Sequence, residues 1–417
     1  MLNYETIQQL EHEAGSPFYL CDQQLFESNC DRINKAFRSR WDPFILAYSY
    51  KTNYTPWLCG VIRDRGGWAE VVSRMEYDLA LRIGQDPRKI IFNGPVKRPD
   101  DIAKALDGGS WINLDSTYEL EAITAWARAH PEQTANIGLR INIGLADENG
   151  ISAVQQNLPV SRFGLCPYGD DLGRIKTALA AYPNVQVLSV HGHTSTIDRA
   201  LWCYEQIAGT LVRIARTHFP ETIRFINVGG GIYGDFPPEM KRTDIPTFDD
   251  YARRITGVLL HDSWCKAHRP TLVLEPGMAM VANAVSFITR VVSLKDIRGQ
   301  TLVTVDGSAM HAKPTLHSWP LPFRIISRQA PPAAQSLFSV AGSTCMEKDY
   351  LLRDVQAPLP AVGDFIQIRQ VGAYTIVLSP PFINYAPAIV SQCGDQFTVV
   401  RTAQKLDGLL TDYRLPN

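Results

Sequence analysis

The sequence predicts a closed (β/α)8 barrel of the TIM type joined to a second, mostly antiparallel β domain. Short β-branched and aromatic runs alternate with amphipathic helical stretches between residues 44 and 274. Eight such units fit there, close to the roughly 250 residues typical of a barrel. Beyond residue 277 β-rich runs continue with few helical patterns between them, and Pro and Gly punctuate them heavily, which is how antiparallel structure reads. The barrel is placed at residues 24–279 and the β domain at 1–23 plus 280–417.

The candidate barrel strands are 44–50, 68–72, 89–93, 111–114, 137–143, 185–191, 223–228 and 271–274. Each is a short apolar run of the length strands favour. The stretches 73–83, 100–106, 117–129 and 202–217 carry amphipathic patterns, as helices packed on a sheet do. In the β domain, 287–292, 301–305, 365–370, 375–378 and 397–401 read as strands, with Pro331-Pro332 and 358–363 as punctuation. Phe18-Tyr-Leu-Cys21 is a further β-rich run that fits either domain.

Composition narrows the function classes. Of the 417 residues, 45% are hydrophobic and 20% charged, and the net charge is −1, so neither nucleic acid nor an anionic membrane is expected as a partner. No run approaches the eighteen or so apolar residues of a membrane helix, and the N-terminus lacks the form of a secretory signal. The eight Cys include no CxxC pair, which argues against both a disulfide framework and a zinc site. His191 and His193 have no third ligand nearby in sequence, so no metal is expected. The reading is a cytoplasmic protein with reduced thiols.

In a barrel, chemistry collects at the carboxyl ends of the strands. Lys51 ends the first run, Glu70 lies in the second, Arg140 and Asn142 in the fifth, and His193 follows the sixth. The seventh ends in Asn227-Val-Gly229-Gly230-Gly231 and the eighth in Glu275-Pro-Gly277. A lysine among apolar and aromatic neighbours loses its proton more readily, which Schiff-base chemistry needs. Three glycines let the backbone approach a phosphate. A carboxylate facing a pyridine nitrogen keeps it protonated, and Glu275 is the candidate. Each of these roles fits pyridoxal phosphate.

The set resembles the fold-type III pyridoxal-phosphate decarboxylases, the family of diaminopimelate and ornithine decarboxylases. Tyr48-Ser-Tyr-Lys51-Thr-Asn53 is similar to the family's Tyr-Ala-x-Lys-x-Asn. Glu70-Val-Val-Ser73, Leu139-Arg140-Ile-Asn142 and Ser161-Arg162-Phe163-Gly164 resemble its second-strand and central motifs. His193-Thr-Ser-Thr196 stands where a His-Ile/Val-Gly-Ser motif places a ring-stacking His and a phosphate-assisting hydroxyl. Gly342-Ser-Thr-Cys345-Met346-Glu-Lys-Asp349 is similar to a Gly-Pro-x-Cys-x-x-x-Asp element, and Gly372-Ala-Tyr374 to a Gly-Ala-Tyr whose Tyr contacts the phosphate.

The resemblance implies an alanine racemase-like plan and a PLP-dependent amino-acid decarboxylase. Lys51 would hold the cofactor as a Schiff base, and Cys345 would reach the partner subunit's site to protonate the α-carbon, making the enzyme a homodimer. Cofactor contacts are implied for Lys51, Glu70, Arg140, His193, Thr196, Gly229, Gly230, Gly231, Glu275, Gly277 and Tyr374. Asp306, Lys313 and Met346 are the substrate-side candidates. Diaminopimelate, ornithine, lysine and pathway-specific derivatives all remain open as substrates. Two other readings share the fold: an amino-acid racemase, against which Glu275 argues, and a silent homologue that binds a partner protein.

Two departures from the family pattern bear on affinity and substrate choice. Met278 stands where Glu-Pro-Gly-Arg usually brings an Arg to the phosphate. Met346 stands where a residue after the Cys is commonly acidic and accepts a distal ammonium.

Overall fold

A computed structural model describes residues 2–240, 242–317, 320–330 and 333–414. The Pro331-Pro332 pair lies outside the described residues. The chain divides into two compact units. One comprises Asn29–Gly234 and Asp244–Ala279; the other comprises Met1–Ser28, Asp235–Thr243 and Met280–Asn417.

The first strand, β1 (Phe18–Asp22), belongs to the second unit. The next eight are β2 (Phe44–Ser49), β3 (Trp68–Val71), β4 (Ile90–Phe92), β5 (Trp111–Leu114), β6 (Ala135–Arg140), β7 (Val185–His191), β8 (Phe225–Asn227) and β9 (Thr271–Leu274). They pair in parallel in chain order and close when β9 pairs with β2, Phe44 lying beside Leu272 and Leu46 beside Leu274. The eight sequence-predicted barrel strands all form, within a few residues of their expected ends. Helices such as Arg74–Arg82, Pro99–Asp107 and Leu201–His218 return the chain between strands. Ser73 begins the first by accepting the Glu76 N–H, while the Glu76 carboxylate accepts the Val72 N–H at 2.7 Å; such reciprocal caps satisfy donors that the first helical turn leaves open.

The barrel interior is filled. Ala47, Ile91, Trp111 and Val273 form an apolar plug with Ile45, Trp68 and Phe225 packed against it. Trp111 lies 4.7 Å from the Phe225 ring and meets Trp68 edge-on at 6.4 Å. This plug is the floor on which the polar residues of the strand ends rest.

The second unit holds β1 with β10 (Val285–Ile297), β11 (Gln300–Val305), β12 (Phe323–Ile326), β13 (Gln335–Ala341), β14 (Tyr350–Pro358), β15 (Phe365–Ile368), β16 (Ala388–Cys393) and β17 (Gln396–Arg401). They run β14-β13-β11-β10-β1-β16-β17, with β15 pairing β10 and β12. All pairs are antiparallel except β1–β16 and β11–β13. The ambiguous run at Phe18 thus joins the β sheet, between β10 and β16. The helix Tyr4–Ala14 buries Tyr4, Ile7, Leu10 and Ala14, the spacing of one helical face. That face packs on Phe18, Leu20, Ile288, Phe365 and Val390.

One expected strand is absent. Residues 375–378 form a turn in which the Leu378 N–H donates to the Thr375 carbonyl at 3.1 Å. Tyr374 just before it has φ +55°, a left-handed backbone that a strand does not tolerate. β12, β13, β14 and β16 were not anticipated.

Between β4 and the helix after β5, Lys97 and Glu119 form an ion pair at 2.6 Å with both side chains fully buried. Lys97 also donates to the Gly94 carbonyl, and Glu119 accepts the Asp115 and Ser116 N–H groups. Removing one member strands the other charge. Lys97→Met is therefore expected to destabilise the chain by about 3–5 kcal/mol, read as a lower urea midpoint, and Lys97→Met/Glu119→Leu to recover part of the loss.

Candidate active site

Five barrel strands end on one rhythm: Trp68 then Glu70, Ile91 then Asn93, Trp111 then Asn113, Phe225 then Asn227, Val273 then Glu275. Side chains two residues apart share a strand face. The first member of each pair belongs to the apolar plug, and the second forms a polar layer above it. Asn93 Nδ2 donates to Glu70 Oε1 at 2.9 Å and to Glu275 Oε1 at 3.0 Å. Asn113 donates to Asn93 Oδ1 at 2.7 Å and in turn accepts the Trp111 indole N–H. Asn227 donates to Glu275 Oε1 at 2.7 Å.

Lys51, just past the end of β2, reaches this layer from its rim. Its Nζ lies 2.6 Å from Glu70 Oε2 and 2.8 Å from Ser49 Oγ. The lysine side chain keeps 32% of its surface exposed and the Glu70 side chain 1%, so the lysine reaches the rim while its counter-charge is sealed below. Sequence reasoning missed Ser49, Asn93, Asn113 and His191. The signal for Ser49, Asn93 and Asn113 was a polar residue two positions after an inward apolar one (Ala47, Ile91, Trp111); His191 follows Ser189 and carried no such signal.

Burial raises the cost of ionising Glu275, but His191, Lys51 and the Asn227 amide outweigh it and hold the carboxyl far below its ordinary range. His191 Nε2 lies 3.2 Å from Glu275 Oε2, at ion-pair distance but without hydrogen-bond alignment. His193 behaves differently. Burial first, then the cations Lys51 and Arg140, push it down to about 3, so its ring is neutral at physiological pH. The Gly230 N–H donates to His193 Nδ1 at 3.3 Å, which assigns the ring proton to Nε2. Arg140 is buried against Asp115 at 3.2 Å, donates to the His193 carbonyl at 3.1 Å and lies over the Phe163 ring at 4.5 Å.

Gly229, Gly230 and Gly231 turn directly beside these groups. A Cβ on Gly230 would stand 2.0 Å from the Glu275 carbonyl oxygen, and one on Gly229 2.6 Å from His193 Cβ. Gly229 and Gly231 have φ +67° and +90°, conformations in which glycine carries no steric penalty. A Cβ on Gly277 would meet Thr52 Oγ1 at 1.9 Å. Thr196 Oγ1 accepts the Arg199 N–H at 3.1 Å. Among the described residues, neither the Gly231 N–H nor Arg140 Nε has a protein acceptor. Unpaired donors near a glycine turn, beside a half-buried lysine and a buried carboxylate, suit a phosphorylated aromatic aldehyde.

The remaining predicted residues belong to the second unit. Cys345 is exposed at the tip of the loop after β13. Asp349 builds that loop, accepting from Thr344 Oγ1 at 2.6 Å, the Thr344 N–H at 3.0 Å and the Ala309 N–H at 2.7 Å. A Cβ on Gly342 would lie 2.3 Å from the Asp349 carboxylate, which accounts for the Gly and Asp flanking the Cys. Met346 is half-buried in the same loop. Tyr374 is exposed. Asp306 Oδ1 already accepts the Thr289 hydroxyl and the Arg290 N–H. Lys313 is half-buried, and burial, then Arg353, lower its pKa.

A barrel closed around a lysine, a carboxylate and a glycine turn fits the class of barrel enzymes that carry pyridoxal phosphate. The pyridoxal-binding domain of the pyridoxal-dependent decarboxylases matches residues 24–282, and the chain belongs to that family. It is a PLP-dependent amino-acid decarboxylase, a carboxy-lyase. A diaminopimelate decarboxylase of Methanothermobacter thermautotrophicus is 27% identical over 98% of this chain and 94% of its own. An L-glutamyl-[BtrI acyl-carrier protein] decarboxylase of Niallia circulans is 25% identical over 91% and 89%. The crystal structure of the M. jannaschii diaminopimelate decarboxylase superposes with a TM-score of 0.86, at 25% identity over 98% of this chain and 94% of that one. No helix among the described residues is long and apolar enough to cross a membrane.

Glu76, buried beneath the Lys51–Glu70 pair, is raised from the ordinary 4.5 to about 7, chiefly by burial, with the neighbouring Glu70 adding. The folded chain keeps this proton where the unfolded chain has lost it, so the contribution of Glu76 to stability is greatest below about pH 4.5 and is lost as pH rises through about 7. Glu76→Gln, which still accepts the Val72 N–H, is expected to flatten that slope by an amount on the order of 3 kcal/mol. Urea unfolding of both proteins at about pH 5 and about pH 8 checks it.

Proposed function

We propose that the chain decarboxylates an amino acid at the site around Lys51, with Lys51 as the cofactor-bearing amine and Cys345 as the donor that returns a proton to the α-carbon. The supporting observation is the hydrogen-bonded chain Lys51–Glu70–Asn93–Glu275 at the strand ends. Bound pyridoxal phosphate supplies the electron sink for the pair left behind when carbon dioxide departs. Glu275, held ionised by His191, Lys51 and Asn227, serves as the acceptor for a protonated ring nitrogen. His193, neutral and fixed by the Gly230 N–H, offers its flat face to the ring. At the Gly229–Gly231 turn the Gly229 and Gly230 N–H groups are held by Asn227 and His193, which leaves the Gly231 N–H for the phosphate, with the Thr196 hydroxyl as a further donor. Glu70, 2.6 Å from the Lys51 nitrogen, would hold the lysine as an ammonium once an incoming amine has displaced it from the cofactor.

Cys345 is displayed on a loop that Asp349 fixes from below, so its thiol meets a substrate without reordering the backbone. In the family pattern this thiol serves a second copy of the chain, and the active species is a homodimer. The diaminopimelate decarboxylase relatives support a substrate with a polar distal end. Met346 removes a carboxylate from the position after Cys345, and Asp306 has one oxygen committed to its own turn. Both features favour a distal end without a free ammonium, such as an amino acid carried as an amide or thioester; the carrier-linked substrate named for the N. circulans relative is of that kind.

The test is mass spectrometry of the cofactor-loaded enzyme with diaminopimelate, ornithine, lysine and carboxylated amino-acid conjugates. Loss of carbon dioxide from one compound is expected. Lys51→Ala should abolish it, and unchanged turnover in that variant would sink the assignment. Cys345→Ala should slow product formation by about 10²-fold or more, or misplace the proton, while cofactor absorbance persists. Interconversion of substrate enantiomers without carbon dioxide release would instead favour a racemase.

A further inference from the structure

We propose that Arg199 supplies the cationic contact to the cofactor phosphate, replacing the arginine that the chain lacks at position 278. The inference rests on the reading that the phosphate lies at the Gly229–Gly231 turn. Arg199 is distant from Met278 in sequence but adjacent in space: its Nη1 lies 3.7 Å from Met278 Sδ. The thioether carries no charge, so the guanidinium brings to this corner of the barrel the positive charge that Met278 cannot.

The guanidinium also lacks an anionic partner. Among the described residues no carboxylate lies within ion-pair distance of Arg199, whereas Arg140 is paired with Asp115 and Lys51 with Glu70. Arginine remains charged at any physiological pH and presents a planar fork of donors that matches phosphate oxygens. A half-buried guanidinium without an anion is therefore incompletely solvated and incompletely paired, and a phosphate dianion satisfies it.

Its position is fixed by the groups that fix the glycine turn. The Arg199 backbone has φ +51°, its N–H donates to Thr196 Oγ1 at 3.1 Å, and its carbonyl accepts the Tyr251 hydroxyl at 2.8 Å. The guanidinium stacks on the Tyr233 ring at 4.7 Å. Tyr204 meets Tyr251 edge-on at 5.0 Å and donates to the Gly230 carbonyl at 3.3 Å. Tyr204, Tyr233 and Tyr251 thus tie Arg199 and the Gly229–Gly231 backbone into one frame. With its backbone clamped at both ends and its fork held against a ring, the arginine loses little conformational freedom on binding.

The test is cofactor affinity rather than turnover. The full-length chain, stripped of cofactor with hydroxylamine, is titrated with pyridoxal phosphate and separately with unphosphorylated pyridoxal, followed by cofactor absorbance. Arg199→Met should weaken pyridoxal phosphate about 10–100-fold, the worth of one charge-assisted contact, and leave pyridoxal unchanged. Arg199→Met/Met278→Arg should restore the phosphate-dependent affinity, and Arg199→Lys should fall between. Equal losses for both ligands, or no loss for either, would overturn the assignment of Arg199 alone. Failure of the unmodified chain to bind pyridoxal phosphate would overturn the cofactor site itself and Arg199 with it. Circular dichroism of each variant separates misfolding from lost affinity, and rescue by the double variant is a result that a damaged fold does not give.

Discussion

Two carboxylates, Glu70 and Glu275, are sealed into the same layer of the barrel and share one amide, that of Asn93. Like charges in a low-dielectric interior repel strongly, so each needs its own compensation. Glu70 has the Lys51 ammonium; Glu275 has the Asn227 amide and His191. The arrangement exists only in one register. Because strand side chains alternate, a slip of one residue in β3 or β9 would turn its carboxylate outward and bring an apolar neighbour in. The apolar plug beneath sets the same register independently, since Trp68 and Val273 must point inward with Glu70 and Glu275. Packing and electrostatics therefore specify one alignment, and the height of Lys51 at the rim follows from it.

The small residues around the site are the imprint of this crowding. Gly138 admits the Asn113 amide, whose oxygen would stand 1.9 Å from a Cβ there. Gly277 yields to Thr52 and Gly230 to the Glu275 carbonyl. None of these contacts involves a ligand, yet each lets a polar group occupy a position that a larger residue would take. The loop that presents Cys345 is built the same way around a different carboxylate, with Gly342 making room for Asp349 and Asp349 collecting the loop's donors.

Much of this was legible in the sequence because it repeats locally. The eight barrel strands stand out as apolar runs at regular spacing, and Lys51, His193, the three glycines and Glu275 stand at their ends. Asn93, Asn113 and His191 were not legible, since an Asn or His at a strand end looks like an ordinary turn residue until the inward pairs Ile91/Asn93 and Trp111/Asn113 are set side by side. The β unit was harder. β13 and β14 bury only some of their residues, which weakens the alternation that marks a strand. Residues 375–378 carry strand-like side chains, but Tyr374 and the hydrogen bond from Leu378 to Thr375 bend them into a turn.

Arg199 shows where reading along the chain loses its power. A motif records which residue type stands at which position, and Met278 therefore registers as a missing charge. A phosphate senses only which charge stands nearby, from whatever part of the chain it comes. The loop after β7 and the loop after β9 converge on one corner because the strands between them close a barrel, and closure makes residues far apart in sequence exchangeable as donors. Substitution at one position then costs little if a neighbour in space carries the group instead. The reaction class can survive such an exchange while the motif does not, because the exchange alters the source of the charge and leaves Lys51, Glu70 and Glu275 where the register has put them.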